Sequence, residues 1–591
     1  MIITTKEKAK EFIESIPYES MVSIDTECEE FTKEKDHSFD LGLYGIGLYL
    51  NEKNKAYITT EALPDNFQNF LNKCTFIFHN AKFDLTIIEK QGYDISKLKY
   101  HDTLIMSWLV NESRRSHKLK DLAESILKVN KATKFKELTK KPLMEDYQII
   151  PSQFPVDFEK WRIELGEYCI LDCKYTYKLF QKFQEKVKKD NLQKVYENLE
   201  LPFINVLRKM ENRGVSIDTE YLRVMGSEME QEIIRIQSEI WKLAGKEVDI
   251  NSPKQLSEIF FKEKKYELPN DYRTPKGEYS TDVESLTYLS EKYNCELSKK
   301  ILEYREMFKL YSTYILGLLE KQRNGVIYAS FSQTGTVTGR LSSSSPNLQN
   351  LPARDDKFNI RKAFIPRQGY TFITADYSQI ELRILAYFSK DPVLVEAYKE
   401  GKDIHKATAD ILGCERKTAK AVNFGIIYGQ TDYGLSKGLG ISLEEAKKFI
   451  DGYMNKFKSV AIFQQKAINT LQRNYAVWTI LGRRRHFPKY AEAKKKKDWK
   501  AMGGFHRQAT NTVIQGSASD LIKVAMRNLD KKLLNFDAHI LIQVHDELII
   551  EVPENRAEEL LPIVKFEMEH ALDLSPVPII VEPKINKIWS K

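Results

Sequence analysis

The stretch Thr371 to Ser389, TFITADYSQIELRILAYFS, changes its hydrophobic period part-way. Phe372, Ile373 and Ala375, interleaved with threonines, read as a buried strand. From Ile380 onward, Leu382, Ile384, Leu385 and Phe388 follow a helical period instead. Asp376–Ser378 make the turn between the two, which puts an aspartate at the carboxyl end of a buried strand. That is a costly place for a charge unless something pairs with it, and a divalent metal is one such partner. A second stretch, Ala538 to Pro553, has the complementary form. Two apolar runs, HILIQV and LIIEV, flank His545-Asp546-Glu547, as in a β-hairpin with carboxylates at its tip. Brought together in one sheet, Asp376 and Asp546 would make a two-Mg²⁺ site for phosphoryl chemistry.

Composition bounds the rest of the chain. With 591 residues and 42% hydrophobic content, it is long and apolar enough for several cores, about four at roughly 150 residues each. A disordered or fibrous chain is excluded. Lys and Arg number 91 against 83 Asp and Glu, a net charge of +8, so any nucleic-acid surface must be a local patch. No run approaches the ~18 apolar residues of a membrane span. The opening MIITTKEKAKEF lacks the apolar core of a signal peptide. The six cysteines are Cys28, Cys74, Cys169, Cys173, Cys295 and Cys414, and they read as reduced thiols of an intracellular protein. Cys169 and Cys173, one helical turn apart, suggest a metal site, but no second pair or nearby histidine completes it.

Residues 1 to about 190 read as an α/β unit, with strands at Met21–Asp25, IGLYL, AYITT and FIFHN before a helical stretch. Asp25 and Glu27, two apart on a strand, share a face and repel unless a cation lies between them. Asp84 follows the apolar run TFIF within His79-Asn-Ala-Lys-Phe-Asp84, and Tyr168 and Asp172 lie one turn apart on a helix. Together these four carboxylates and a tyrosine suit a two-metal hydrolytic site. The segment resembles the DnaQ-like 3′→5′ proofreading exonucleases, which have an RNase H-like fold. Asp25 and Glu27 match the first motif, Asn80 to Asp84 the second and Tyr168 to Asp172 the third. HDTLIMSWLV and SHKLKDLA, from His101 to Ala123, look like that domain as it occurs in relatives of DNA polymerase I.

From about 190 to 330 the chain is helical and charged. Leu222, Met225, Met229, Ile233, Ile236, Ile240 and Leu243 mark an amphipathic helix, with Asp218 as N-cap and Gly245 as stop. Thr336 to Pro352, TVTGRLSSSSPNLQNLP, is a polar loop of a kind that contacts phosphates and base edges. After Asp403-Ile-His405, Arg416, Lys420, Phe424 and Tyr428 step by four along one helix face. Two cations and two flat rings fit a nucleoside triphosphate. TILGRRRHF and the lysines 494–497 add phosphate-binding charge. Arg507 to Asp520, RQATNTVIQGSASD, is expected to precede the last long helix.

Three stretches taken together, Asp376-Tyr-Ser-Gln-Ile-Glu381, Arg416 to Gly429 and Gln543-Val-His-Asp-Glu547, resemble the family A DNA polymerases. The resemblance runs from about residue 20 to the C-terminus. It implies a multidomain α/β and α+β chain, with an RNase H-like exonuclease followed by a right-hand polymerase. The implied domains are exonuclease at 1–190, thumb and leading palm segment at 191–330, first palm segment at 331–395, fingers at 396–520 and second palm segment at 521–591. It also implies DNA synthesis from dNTPs on a primer–template, with proofreading and without a 5′-nuclease domain.

The resemblance assigns residues as well. Asp376 and Asp546 would hold two Mg²⁺, with Mn²⁺ as a substitute. Arg416, Lys420 and His405 would bind the triphosphate, and Lys420 would protonate pyrophosphate. Phe424 would stack near the sugar, and Tyr428 would lie near the templating base. Glu381 would exclude ribose, and Gln379 would line the substrate site. Arg340, Asn347, Gln349, Asn511, Gln515 and His545 would contact DNA. In the exonuclease, Asp25, Glu27 and Asp172 would hold one metal and Asp84 the second, with Tyr168 orienting the water. A monomer in a bacterial or phage-infected cytoplasm, or in an organelle, fits this reading, and a processivity factor is an optional partner. A single-subunit RNA polymerase is the first rival, and Glu381, Phe424 and the proofreading motifs argue against it.

Overall fold

A computed structural model describes residues 1–29, 41–130, 143–145, 148–150, 158–274, 277–352 and 358–590. Its contacts divide the chain into two compact units. The first comprises Met1–Arg213, Phe331–Ser343 and Ala375–Lys584.

The amino-terminal part of this unit is built on a six-stranded sheet. Met21–Cys28 is interior, antiparallel to Leu43–Tyr49 and parallel to Thr75–Phe78. Val22, Ile24, Ile46, Leu48, Phe76 and Phe78 fill its core. The helix Phe158–Lys189 packs across the Met21–Cys28 and Leu43–Tyr49 strands. Asp102 fastens one end of the sheet. Its carboxylate accepts from Leu104 N at 2.7 Å, Ile105 N at 3.0 Å and Ala81 N at 2.6 Å, capping the helix Thr103–Val110 and holding the start of Ala81–Lys90.

The remainder of the unit holds the long helix Trp499–Leu533, the hairpin strands His539–Val544 and Glu547–Pro553, residues 375–377 of the strand Tyr370–Tyr377 and residues 581–584 of the strand Val581–Asn586, in the sheet order hairpin, Tyr370–Tyr377, Val581–Asn586. The strand, turn and helix expected from Thr371 to Ser389 are present, with one correction: the strand Tyr370–Tyr377 includes Asp376, so the turn is residues 378–379, and the helix is Ile380–Ser389. A second expectation is corrected: Arg507–Asp520 does not precede the long helix but forms its middle. The polar residues there are satisfied within the helix. Thr510, Thr512 and Ser517 donate their hydroxyls to the carbonyls of His506, Gln508 and Val513. Threonines and serines can therefore lie buried in a helix with little apolar period to mark it.

A buried ionic joint ties the two parts of this unit. Glu200 meets Lys523 at 2.7 Å and Arg483 at 2.6 Å, and Arg483 also meets Asp520 at 2.6 Å. Trp108 lies against both cations, its ring centroid 5.1 Å from the Arg483 guanidinium and 5.5 Å from the Lys523 ammonium. Its indole N–H donates to Thr336 O at 3.1 Å.

The second unit comprises Gly214–Ser330, Ser344–Thr374 and Ile585–Lys591. Its helix Thr219–Ala244 starts where Asp218 accepts from Tyr221 N and stops at Gly245, whose φ of 76° suits glycine. Leu222 through Ile240 line the buried face as expected, but Leu243 is exposed, while Trp241 and Ala244 beside it still pack on the core. In the loop Ser344–Pro352, Asn347 accepts from Gln349 N at 3.0 Å and Asn350 O accepts from Tyr314 at 2.6 Å. Among the described residues no helix is long and apolar enough to cross a membrane.

Candidate active sites

The strand Met21–Cys28 presents Asp25 and Glu27 on one face. Thr26 between them donates its N–H and hydroxyl to Asp84 Oδ1 at 3.0 and 2.7 Å. Asp84 comes from the helix Ala81–Lys90, which Asn80 starts in the left-handed region at φ 80°. Burial pushes the Asp84 carboxyl well up, the charge of Asp25 adds to this, and the bonds from Thr26 oppose it. Tyr168 and Asp172 reach the site from Phe158–Lys189.

A residue that sequence reasoning missed stands among them. Lys120 is ion-paired with Asp172, and its ammonium lies 4.1 Å from the Tyr168 ring centroid. Burial pulls Lys120 down to about 8, while Asp25 and Glu27 oppose the fall. Burial, Glu27 and Asp25 push the Tyr168 phenol up. Lys120 was legible only as one basic letter in SHKLKDLA. Asp172 therefore faces Lys120 and does not join the close group, which is Asp25, Glu27 and Cys169, with ligand atoms within 4.8 Å of one another. Crowded, buried carboxylates with an ammonium already among them suit a divalent cation.

At the second site, Asp376 ends the strand Tyr370–Tyr377 and Asp546 occupies the hairpin turn, after His545 at φ 52°. Tyr377 N donates to Asp546 O at 3.1 Å, which brings the end of the strand that carries Asp376 beside the turn that carries Asp546. Both carboxylates are half-buried, as an ion-binding pair open to solvent requires. Glu547 is buried in the following strand, and His545 is exposed.

Beside them Glu381, 4% exposed, is ion-paired with Arg340. Burial raises its carboxyl against the pull of Arg340 and Tyr428, and burial with Glu381 pushes Tyr428 up to about 12. Gln379, at φ 55°, accepts from the Tyr398 hydroxyl at 3.1 Å. The helix Arg416–Ile427 exposes Arg416 and Lys420, and the rings of Phe424 and Tyr428 stack at 6.2 Å.

Two residues outside the expected set hold this face in place. Asp403 caps the helix Ile404–Leu412 and binds Arg416 Nε at 2.8 Å. Asn423 Nδ2 donates to His405 Nδ1 at 3.0 Å. His405 is buried, and burial lowers its pKa. Asp403 was visible in the sequence beside His405, whereas nothing in the sequence singled out Asn423. Asn511 and Gln515 share a face of Trp499–Leu533, and the buried Asn511 Oδ1 has no hydrogen-bond partner among the described residues. Asn347 and Gln349 lie in the second unit.

Comparison with known proteins fits this geometry. The pattern of DNA polymerase family A matches residues 219–591, and that of a 3′-5′ exonuclease matches residues 1–188. The chain belongs to DNA polymerase family A. Like the expected architecture, this family A chain carries an exonuclease domain followed by a polymerase domain. DNA polymerase I of Borreliella burgdorferi is 35% identical over 615 residues, covering 100% of this chain and 64% of that protein. DNA polymerase I of Bacillus subtilis is 40% identical over 426 residues, covering 70% of this chain and 47% of that one. The chain thus spans about half to two thirds of the length of these curated relatives. A solved structure described as the POL domain of Pol1 from M. smegmatis in complex with DNA primer-template and dNTP superposes with a TM-score of 0.83 at 28% identity, covering 99% of this chain and 98% of that one.

Proposed function

We propose that this chain extends primer 3′ ends on a DNA template from dNTPs and removes mispaired ends with its 3′→5′ exonuclease. The observation that carries this reading is the bond from Tyr377 N to Asp546 O, which sets Asp376 and Asp546 at one end of one sheet. The pair fits two divalent cations, held by Asp376 and Asp546. When bound, Mg²⁺ lowers the pKa of the primer hydroxyl and offsets charge on the leaving pyrophosphate.

The chain's own residues do the rest. Arg416 and Lys420 take the triphosphate on their exposed face, after Arg416 releases Asp403. Lys420 supplies a proton to pyrophosphate. His405, buried and held by Asn423, binds the triphosphate with Arg416 and Lys420. Phe424 carries the sugar, Tyr428 lies near the templating base, and the buried Glu381 excludes a 2′-hydroxyl. Arg340, Asn347, Gln349, Asn511, Gln515 and His545 contact the duplex. In the exonuclease, Asp25, Glu27 and Asp172, once Asp172 has left Lys120, hold one metal and Asp84 the second, and Tyr168 orients the water. Domain boundaries at about 190, 330, 395 and 520 belong to the same reading.

A 5′-labelled primer on a longer template, with Mg²⁺, tests both activities. Extension with dNTPs and shortening without them are expected. Shortening in both lanes would leave only the nuclease, and no change in either lane would overturn the proposal.

A further inference from the structure

Cys169 and Cys173 have no part in the reading above. Both are fully buried on the helix Phe158–Lys189, one turn apart. A Cβ on Gly47 would lie 2.5 Å from Cys169 Sγ and 3.0 Å from Cys173 Sγ, so the two sulfurs converge over a residue that only glycine can supply. Cys169 Sγ is also 3.9 Å from Asp25 Oδ2. With Glu27 it completes the one close group of three metal-ligating side chains among the described residues. The carboxylates that complete this cysteine pair lie more than a hundred residues away in sequence, on another element.

Zn–S and Zn–O bonds of about 2.3 and 2.1 Å at a tetrahedral angle set sulfur and oxygen about 3.6 Å apart, so Cys169 Sγ and Asp25 Oδ2, 3.9 Å apart, reach one such ion after a small adjustment. Thiolate is a soft ligand that selects Zn²⁺ and similar ions over Mg²⁺.

We propose that Asp25, Glu27 and Cys169 form a site for a thiophilic divalent cation, Zn²⁺ or Cd²⁺, and that its occupancy holds the exonuclease off. The inference rests on the assignment of Asp25 and Glu27 to the exonuclease. Binding forms a sulfur–metal bond, and the Cys169 thiol proton goes to solvent, with no change of oxidation state. Mg²⁺ leaves the thiol protonated and uses the carboxylates alone. The two ions therefore compete for the same pair of carboxylates.

Co²⁺ is the probe. Added to the full chain kept reduced with a phosphine, it should give a sulfur-to-cobalt charge-transfer band that Zn²⁺ displaces and Cys169→Ala abolishes. Zn²⁺ should also cut Mg²⁺-supported primer shortening at least about tenfold, with extension retained, and Cys169→Ala should weaken that inhibition by about the same factor. If the alanine variant does not fold, Cys169→Ser keeps the volume and should lose the band equally. Mn²⁺ binding, followed by paramagnetic resonance, runs alongside. No cobalt–sulfur band, or a band that survives Cys169→Ala, overturns the thiol site, while normal Mn²⁺ binding and primer shortening leave the exonuclease reading standing. Loss of Mn²⁺ binding and shortening in the unaltered chain overturns both.

Discussion

Glu27, Asp84 and Asp172 at the candidate exonuclease site are 5%, 2% and 6% exposed, whereas Asp376 and Asp546 at the candidate polymerase site are half-buried, as Asp25 is. The difference shows how each site tolerates its charge. Buried carboxylates cannot be left uncompensated, so the fold keeps an ammonium, Lys120, among them. The half-buried pair can stay hydrated, and Arg416 and Lys420 are exposed on a separate helix.

The comparison breaks if the sites are not independent. Asp376→Asn should lower primer extension by at least about a thousandfold and spare shortening. Asp25→Ala should do the reverse, and gel-based primer assays read both. Parallel loss of the two activities in either variant would mean misfolding or a wrong assignment.

The polymerase site was the more legible of the two in sequence because it is local. A strand, a turn and a helix announce Asp376, and two apolar runs announce Asp546, so period and turn chemistry suffice. The exonuclease carboxylates were found as motifs, but their environment was not. Lys120 and Thr26 make tertiary contacts that leave no periodic trace. The middle of the long helix was misread for a related reason: its hydroxyls bond back to their own helix, so polar letters there do not mean a loop.

Smaller effects sharpen the picture. Burial alone would raise the Glu200 carboxyl, but Lys523 and Arg483 outweigh it and hold it at about 2, below 4.5. A depressed carboxyl stabilises the fold above pH 4.5 and loses that contribution as pH falls toward 2. Glu200→Gln should therefore cost about 3 kcal/mol at neutral pH. Urea unfolding should show the gap from the unaltered chain closing across that window, and a gap independent of pH would refute the ionic role. Lys120→Met removes the ammonium that competes with an incoming ion, so Mn²⁺ affinity at the exonuclease should rise by about tenfold. A resonance titration checks this, and unchanged affinity would show that Lys120 does not compete.

The segment Phe331–Ser343, which carries Arg340, is stitched into the ionic joint along its length. Gln333 donates to Glu200 O at 3.0 Å, Thr336 O accepts from Trp108 at 3.1 Å, and Gly339 O accepts from Ser519 at 2.6 Å. A polymerase fragment cut free at residue 190 would lack Trp108, so the strap under Arg340 would lose a stitch and two buried cations would lose their aromatic lid. The amino-terminal part is masonry as well as machinery. A lineage that shed every nuclease carboxylate would still have reason to keep its walls.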